Sequence, residues 1–374
     1  MTAATVVRSV GDVTVVPASR WDEVVAELGG RDTYLLAAYH DASAALEPPG
    51  THPVLLRVRT AGGDLALPLL LRPLPGGGGW DATTPYGYGG PVSPHRVAGW
   101  GPALDRWARA NGVVTTFLRL HPLLENTQLV PPTADLVELG STVAWDVSRG
   151  RDLRQHMHPH HRRAARKAER AGLDLAVRTA PGPLEEFRKL YDTTMRRQEA
   201  APFFFFPDEY WTRLQQHEAD LGTVLVEGRL DGELVAALLC FTHGPWLHYH
   251  LGGSADIART IGASNACFLA GAEWAQAHGF TGFHLGGGVG GRSESSLFVF
   301  KRRFEPDGAL RTFHVAKLVH DPDRYRELTG TVSTDGFFPP WRASANTPRP
   351  AGDDRERNRS AIPTTSLRSA SCAG

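Results

Sequence analysis

Phe283-His284-Leu285 runs into three consecutive glycines, Gly286-Gly287-Gly288, and Phe300-Lys301-Arg302-Arg303-Phe304 follows twelve residues later. A strand that ends in glycines leaves its last backbone groups bare, so a ligand can approach them closely. Lys301 then brings a compact positive charge back beside that backbone. Four of the 40 basic residues are lysines (Lys167, Lys189, Lys301 and Lys317), so an ammonium at 301 stands where this chain usually has a guanidinium. The ordinary alternative is a surface lysine after a turn. Against it, Leu297-Phe298-Val299-Phe300 before the lysine and Phe304 after it are apolar. Exposed amides at Gly286, Gly287 and Gly288 with an ammonium beside them are suited to a ligand that carries or develops negative charge.

A second set of residues is suited to anions. Arg162, Arg166 and Arg170 fall at i, i+4 and i+8, with Arg163 and Lys167 on the adjoining row, so one helix carries five cations on neighbouring rows. Phosphates laid across the stripe would relieve its repulsion, whereas a solvated face is the plainer reading. Arg196 and Arg197 end the next helix and point outward. The preceding His156-Met157-His158-Pro159-His160-His161 lacks the carboxylate or cysteine spacing of a metal site, so no metal is expected and an anion-facing helix start is preferred. Phe203 to Phe206 fit neither helical nor strand periodicity; they either stack on a base or plug a domain junction.

Arg259-Thr260-Ile261-Gly262-Ala263-Ser264 precedes a helix over Asn265 to Ala277. It is similar to the loop with which acetyltransferases hold the pyrophosphate of coenzyme A on a helix N-terminus, with Ser264 in place of the usual small residue. Arg259, Gly262 and Ser264 are therefore cofactor contacts only if the donor is acetyl-CoA. Gly286, Gly288 and Gly291 also spell a Gly-x-Gly-x-x-Gly, but no long helix follows and a dinucleotide site is not expected.

The elements that must position these residues alternate between strand and helix. Strands are expected at Val13 to Val16, Val54 to Val58, Leu65 to Leu71, Val113 to Leu120 and Leu136 to Val147, with helices at Trp21 to Leu28 and Tyr34 to Leu46. Pro73 to Pro94, rich in Gly and Pro, reads as a long loop with short strand pieces. From about Asp152 a second domain opens, with strands at Thr223 to Glu227, Leu234 to Phe241 and Trp246 to Leu251. On the last, His248 and His250 share one face and Tyr249 takes the other.

The order of Gly-Gly-Gly, a polar loop and Phe-Lys-x-x-Phe resembles the C-terminal half of the Fem family of aminoacyltransferases. Arg162 to Gly172, Leu190-Tyr191 through Arg197, His248-Tyr249-His250-Leu251-Gly252-Gly253-Ser254 and Asp81 to Pro91, with its Tyr86-Gly87-Tyr88, resemble further family segments in the same order. The resemblance covers roughly residues 1 to 330. It implies an α/β fold of two GNAT-like domains in tandem: 1–150, then 151–311 with the transfer site, a return segment 312–334 whose Leu310 to Leu318 strand rejoins the first domain, and a disordered tail 335–374. One continuous sheet would contradict two separate domains. It further implies Lys301 at the oxyanion or the migrating proton, placed by the Phe300 backbone, and Arg163, Arg166, Lys167, Arg197, Tyr249 and His250 as substrate contacts.

The implied activity is transfer of an amino acid from aminoacyl-tRNA to an amine or hydroxyl of a small metabolite, as in natural-product biosynthesis, or of a nucleotide-linked cell-wall precursor. No covalent intermediate is expected, because no Ser-His-Asp or Cys-His set has recognisable context. The alternatives are acetyl-CoA as donor and, in another class, a non-catalytic tRNA- or carrier-binding protein.

Composition fits this reading. The 374 residues exceed one ordinary core. With 40 acidic against 40 basic residues there is no global field to attract nucleic acid, so tRNA must meet a local patch. Three cysteines without paired spacing suit a reducing, cytoplasmic setting. Neither a signal peptide nor a membrane span is read from the chain.

Overall fold

The structure is a computed structural model and describes residues 7–343. Twelve strands form it: β1 (Val13–Val16), β2 (His52–Thr60), β3 (Gly63–Pro73), β4 (Trp80–Thr83), β5 (Val113–Arg119), β6 (Asp135–Asp146), β7 (Asp174–Thr179), β8 (Thr223–Leu230), β9 (Glu233–His243), β10 (Trp246–Ser254), β11 (Gly282–Gly286) and β12 (Leu310–Val319). They make a single sheet in the order β1-β2-β3-β4-β5-β12-β6-β11-β10-β9-β8-β7.

The order hides a repeat. From the β1 edge inward, three antiparallel pairings lead to β4, β4 and β5 run parallel, and β5 is antiparallel to β12. From the β7 edge, three antiparallel pairings lead to β10, β10 and β11 run parallel, and β11 is antiparallel to β6. Each half is thus a GNAT-like unit, and the two have exchanged their last strands. β6 leaves the first half to line β11, while β12 crosses back to line β5, and the two pair with each other along the seam.

Two expectations are corrected here. The halves do not have separate sheets, because every strand bordering the seam has paired partners on both sides and no edge remains between them. Asp135–Asp146, expected to complete the first domain, belongs by its β11 partner to the second. Within Pro73–Pro94 the short strand piece is Trp80–Thr83, which is paired on both sides.

Parallel neighbours need a crossover, and each half supplies a helix: Trp100–Ala110 between β4 and β5, and Ala263–Ala277 between β10 and β11. The second begins at Gly262, whose left-handed backbone (φ 82°) ends the short helix Asp256–Ile261. A Cβ there would overlap the Ala164 carbonyl, so glycine also lets the basic helix Pro159–Arg170 lie against this junction. That helix has proline in its first turn, and the His158 side chain accepts from the His160 amide. It buries His161, Ala165 and Ala168 and turns its charges outward, as an amphipathic helix must.

Beneath the second half lies an aromatic layer in which Trp145 stacks on Phe304 (5.1 Å between ring centres) and Phe268 packs on both Phe304 and Phe283. All four are buried. On the other face, Phe206 stacks on Tyr191 and Phe203 meets Tyr86 of the first half. The phenylalanine run therefore plugs the junction.

The disordered tail expected from 335 is contradicted as far as 343. Trp341 Nε1 donates to Asp81 Oδ2 at 2.9 Å, and the Arg342 guanidinium pairs with the same oxygen at 2.7 Å. Asp81 is fully buried and already holds Arg72, so the segment up to 343 is clamped to the first half. The rest of the expected tail, 344–374, lies outside the described residues.

Candidate active site

β10 and β11 pair only from Trp246 to His248 against Gly282 to His284, and then part. Both strands are irregular at that point, β10 between Tyr249 and Leu251 and β11 between His284 and Gly286. Bulges of this kind re-aim side chains and open a sheet. Lys301 is placed at the opening by the short helix Ser296–Arg302, which Ser295 caps by accepting from the Phe298 amide.

Lys301 is 5% exposed. Its Nζ donates to the Gly287 carbonyl at 2.8 Å and lies 5.1 Å above the Tyr249 ring. Among the described residues no carboxylate pairs with it. Burial without a counter-ion penalises the ammonium and pushes its pKa down to about 7. A group so placed can take or give a proton near neutrality. The glycines act differently from expectation, because the recorded contact to Lys301 comes from the Gly287 carbonyl and not from an amide. Gly286 has a left-handed backbone (φ 72°), and a Cβ there would stand 3.3 Å from the Tyr88 hydroxyl and 3.5 Å from Lys301 Nζ.

The basic helix holds the lysine helix in place. His161 Nε2 donates to the Phe300 carbonyl at 2.8 Å, and the His158 amide donates to the Arg303 carbonyl at 2.9 Å. Burial lowers the His161 pKa to about 4, so the ring is neutral and Nε2–H is the donor. Of the histidine run expected to face an anion, His160 and His161 both border the cavity described next, but His161 is buried and packs on Phe300 and Phe304. The alternation of histidines with a helix start gave no signal for this role.

A cavity of about 1160 Å³ opens on the basic-helix side of the sheet. Arg163, Lys167, Arg259 and Arg303 line it, and none of the four side chains has a hydrogen-bond or ion-pair partner among the described residues. Tyr249, Phe268 and Phe300 give it an aromatic wall, and Gly262 and Ser264 lie at the start of the crossover helix on its rim. Arg197 also faces it, but is paired with Asp256 at 2.8 Å and with Ser254 Oγ at 3.1 Å, rather than reaching outward.

Three expected contacts fall elsewhere. Arg166 is exposed and does not line the cavity, because its position on the helix turns it past the rim. Arg162, from the stripe, donates to the carbonyls of Gln155 and Met157 and closes the preceding turn. His250 points to the opposite face of β10, where it bonds the Tyr210 hydroxyl at 2.7 Å. Lys301 and Gly286 to Gly288 lie at the strand opening, with Tyr249 between the lysine and the cavity.

Across the opening, the first half contributes a buried polar clasp that sequence reading did not find. Asp32 Oδ2 faces His248 Nε2 at 2.8 Å and His121 Nε2 at 3.0 Å, and Oδ1 accepts from the Tyr34 amide. Burial works against the carboxylate, but the two histidines hold its pKa well below the usual range. The three residues have metal-ligand composition. The Leu123 amide, however, donates to His121 Nδ1 at 3.2 Å, which puts the His121 proton on Nε2, facing Asp32. A metal would need a lone pair on that nitrogen, so the set does not fit one; the Asp32–His248 hydrogen bond clasps the halves, and His121 Nε2 faces the same carboxylate without hydrogen-bond geometry.

A model of the acetyltransferase (GNAT) domain matches residues 155–295. The UDP-N-acetylmuramoylpentapeptide-lysine N(6)-alanyltransferase of Weissella viridescens is 29% identical over 160 residues, which are 42% of this chain and 46% of that protein. The match thus spans under half of that relative's length. The crystal structure of FemX superposes with a TM-score of 0.64 at 13% identity, over 86% of this chain and all of that one. L-PGS from Bacillus licheniformis gives 0.53 at 16% identity, over 80% and 90%. Taken with the exchanged GNAT-like halves, these likenesses show a tandem GNAT-like fold of the kind seen in FemX.

Proposed function

We propose that the protein transfers an amino acid from aminoacyl-tRNA to the amine of a nucleotide-linked acceptor, without a covalent enzyme intermediate. The observation that carries this reading is the cavity lined by the unpartnered Arg163, Lys167, Arg259 and Arg303 beside a lysine poised near neutrality. Cations left without carboxylates favour a phosphorylated ligand, and the aromatic wall offers faces for a base. The Weissella relative, by its name, acts on a UDP-linked peptide, which favours such an acceptor over a small metabolite. In the transfer, Arg163, Lys167, Arg259 and Arg303 hold phosphate, Arg197 is kept in place by Asp256, and Lys301 manages the proton of the attacking amine. The deciding assay offers the purified protein charged tRNA and a UDP-linked peptide amine, and follows loss of the ester and gain of the amide. No loss of ester above the uncatalysed rate overturns the reading.

A second reading, acetyl-CoA as donor, is favoured by one feature: Gly262 and Ser264 present the start of a fifteen-residue helix to the same cavity. Acetyl-CoA offered in the same assay separates the two. A protein that binds charged tRNA and consumes neither donor is a carrier.

A further inference from the structure

We propose that the Tyr88 hydroxyl, supplied by the first half, is the hydrogen-bond donor to the oxyanion that forms when the acceptor attacks the ester. The proposal rests on reading the strand opening as a transfer centre.

Its ground is the geometry above Gly286. Two polar ends converge there from opposite halves, the Tyr88 hydroxyl from one and Lys301 Nζ from the other, each within about van der Waals reach of the point where a Cβ would stand. Only a glycine leaves that point free. The Tyr88 hydroxyl makes no hydrogen bond among the described residues, although its ring is held on four sides. Tyr34 meets it edge-on at 5.3 Å, His121 at 5.5 Å, His284 at 5.1 Å and Phe313 at 5.3 Å. Gly87, with φ 98°, lies so close to the Tyr34 ring that any side chain would displace it, which fixes the turn that carries Tyr88. A rigid ring with a free hydroxyl is what a preorganised donor requires, since nothing must rearrange when charge appears. Tyr88 and Gly286 to Gly288 are each partly exposed, so a substrate can reach them.

The two groups also divide the chemistry. Burial, with Tyr86 and Asp32 nearby, raises the Tyr88 pKa, so the phenol keeps its proton and remains a donor. Lys301, near 7, can exchange one. Such opposed environments separate an acid from a base. The acceptor nitrogen forms its bond to the ester carbon, the carbonyl pair moves onto oxygen and is met by Tyr88, and the nitrogen's proton passes to Lys301. The ester C–O bond then breaks, and the departing ribose oxygen takes the proton back. Amide and free tRNA are the products, and both side chains end as they began.

The test is Tyr88→Phe, which keeps all four ring contacts. Single-turnover transfer from pre-charged tRNA is expected to fall by about 10²-fold, as loss of an oxyanion donor does. The KM for donor, the thermal midpoint and the pH limb near 7 should stay where they are. A rate within threefold of wild type overturns the proposal. So does a raised KM with unchanged kcat, which makes Tyr88 a binding group, or a collapsed thermal midpoint, which makes it structural. If the wild-type protein consumes neither charged tRNA nor acetyl-CoA, the transfer centre itself is refuted, a result separate from a slow or fast phenylalanine variant.

Discussion

His161 and Phe300 are 139 positions apart, yet one hydrogen bond of 2.8 Å from the imidazole to the carbonyl ties the helix that carries the cations to the helix that carries Lys301. The same ring packs on Phe304 at 4.5 Å. Replacing His161 with Ala should therefore cost about 2 kcal/mol of stability, from lost packing and a carbonyl deprived of its donor. It should also lower turnover while leaving charged-tRNA affinity nearly intact. Chemical denaturation and single-turnover rates would show this, and an unchanged rate would leave His161 as filler only.

Acid should weaken the fold between pH 6.5 and 4. Burial lowers the pKa of His161 and His40 to about 4 and of His250 to about 3. For these bases the neutral form is favoured in the folded state, so the unfolded chain binds more protons in that window. Their contribution is fully present above 6.5 and is lost as pH falls. The thermal midpoint should drop steadily from pH 6.5 to 4, and the drop should be shallower in His250→Gln.

Lys301 should show stability and activity moving in opposite directions. A buried ammonium with no counter-ion costs stability, so Lys301→Met should raise stability at pH 6 by roughly 2 kcal/mol or more. Turnover should fall by about 10²-fold or more, and Lys301→Arg should not restore it, because a planar fork cannot replace a compact ammonium. In the wild type, kcat/KM should rise with pH through about 7 as the amine is freed. A profile flat from pH 6 to 9 would remove Lys301 from proton transfer.

Reversing Arg163 and Lys167 together to Glu should weaken binding of charged tRNA or of a UDP-linked acceptor by about tenfold or more at low salt, and flatten the salt dependence. Reversing Arg166, which points past the rim, should do much less. Fluorescence titrations at two salt concentrations compare them directly, and equal effects would mean a general surface field instead of a cavity.

Arg342→Ala should destabilise the protein by about 2 kcal/mol, since it withdraws one of two guanidinium partners from the buried Asp81. Urea midpoints check this, and no change would mean that Arg72 suffices.

Much of this was legible in the chain. The strands at Val13–Val16, Val113–Arg119 and Glu233–His243 follow from their apolar content, and Gly286 and Lys301 do come together at the strand opening. Alternation placed Tyr249 and His250 on opposite faces, but periodicity cannot say which face meets the cavity. Likewise Arg162 and Arg163 look alike on a helix, and only the preceding turn, whose carbonyls Arg162 takes up, tells them apart. Asp32, His121 and His248 carry no mutual spacing, because their meeting depends on how the halves dock. The place of β6 was hidden for the same reason: a strand's sequence records which of its faces is buried and not which neighbour it pairs with.

The exchanged strands have a consequence for how the molecule comes into being. Arg119 of the first half waits for Val315 as its partner, so a nascent chain that has finished synthesising the first half still displays β5 as an open edge. That edge is closed only when nearly all of the second half has emerged, and neither half can be cut free and expected to stand alone. Long-range closure of this kind is slow, and an open inner strand invites pairing with other chains. Birth at the ribosome, rather than stability once formed, is therefore the stage at which this protein is most exposed to aggregation.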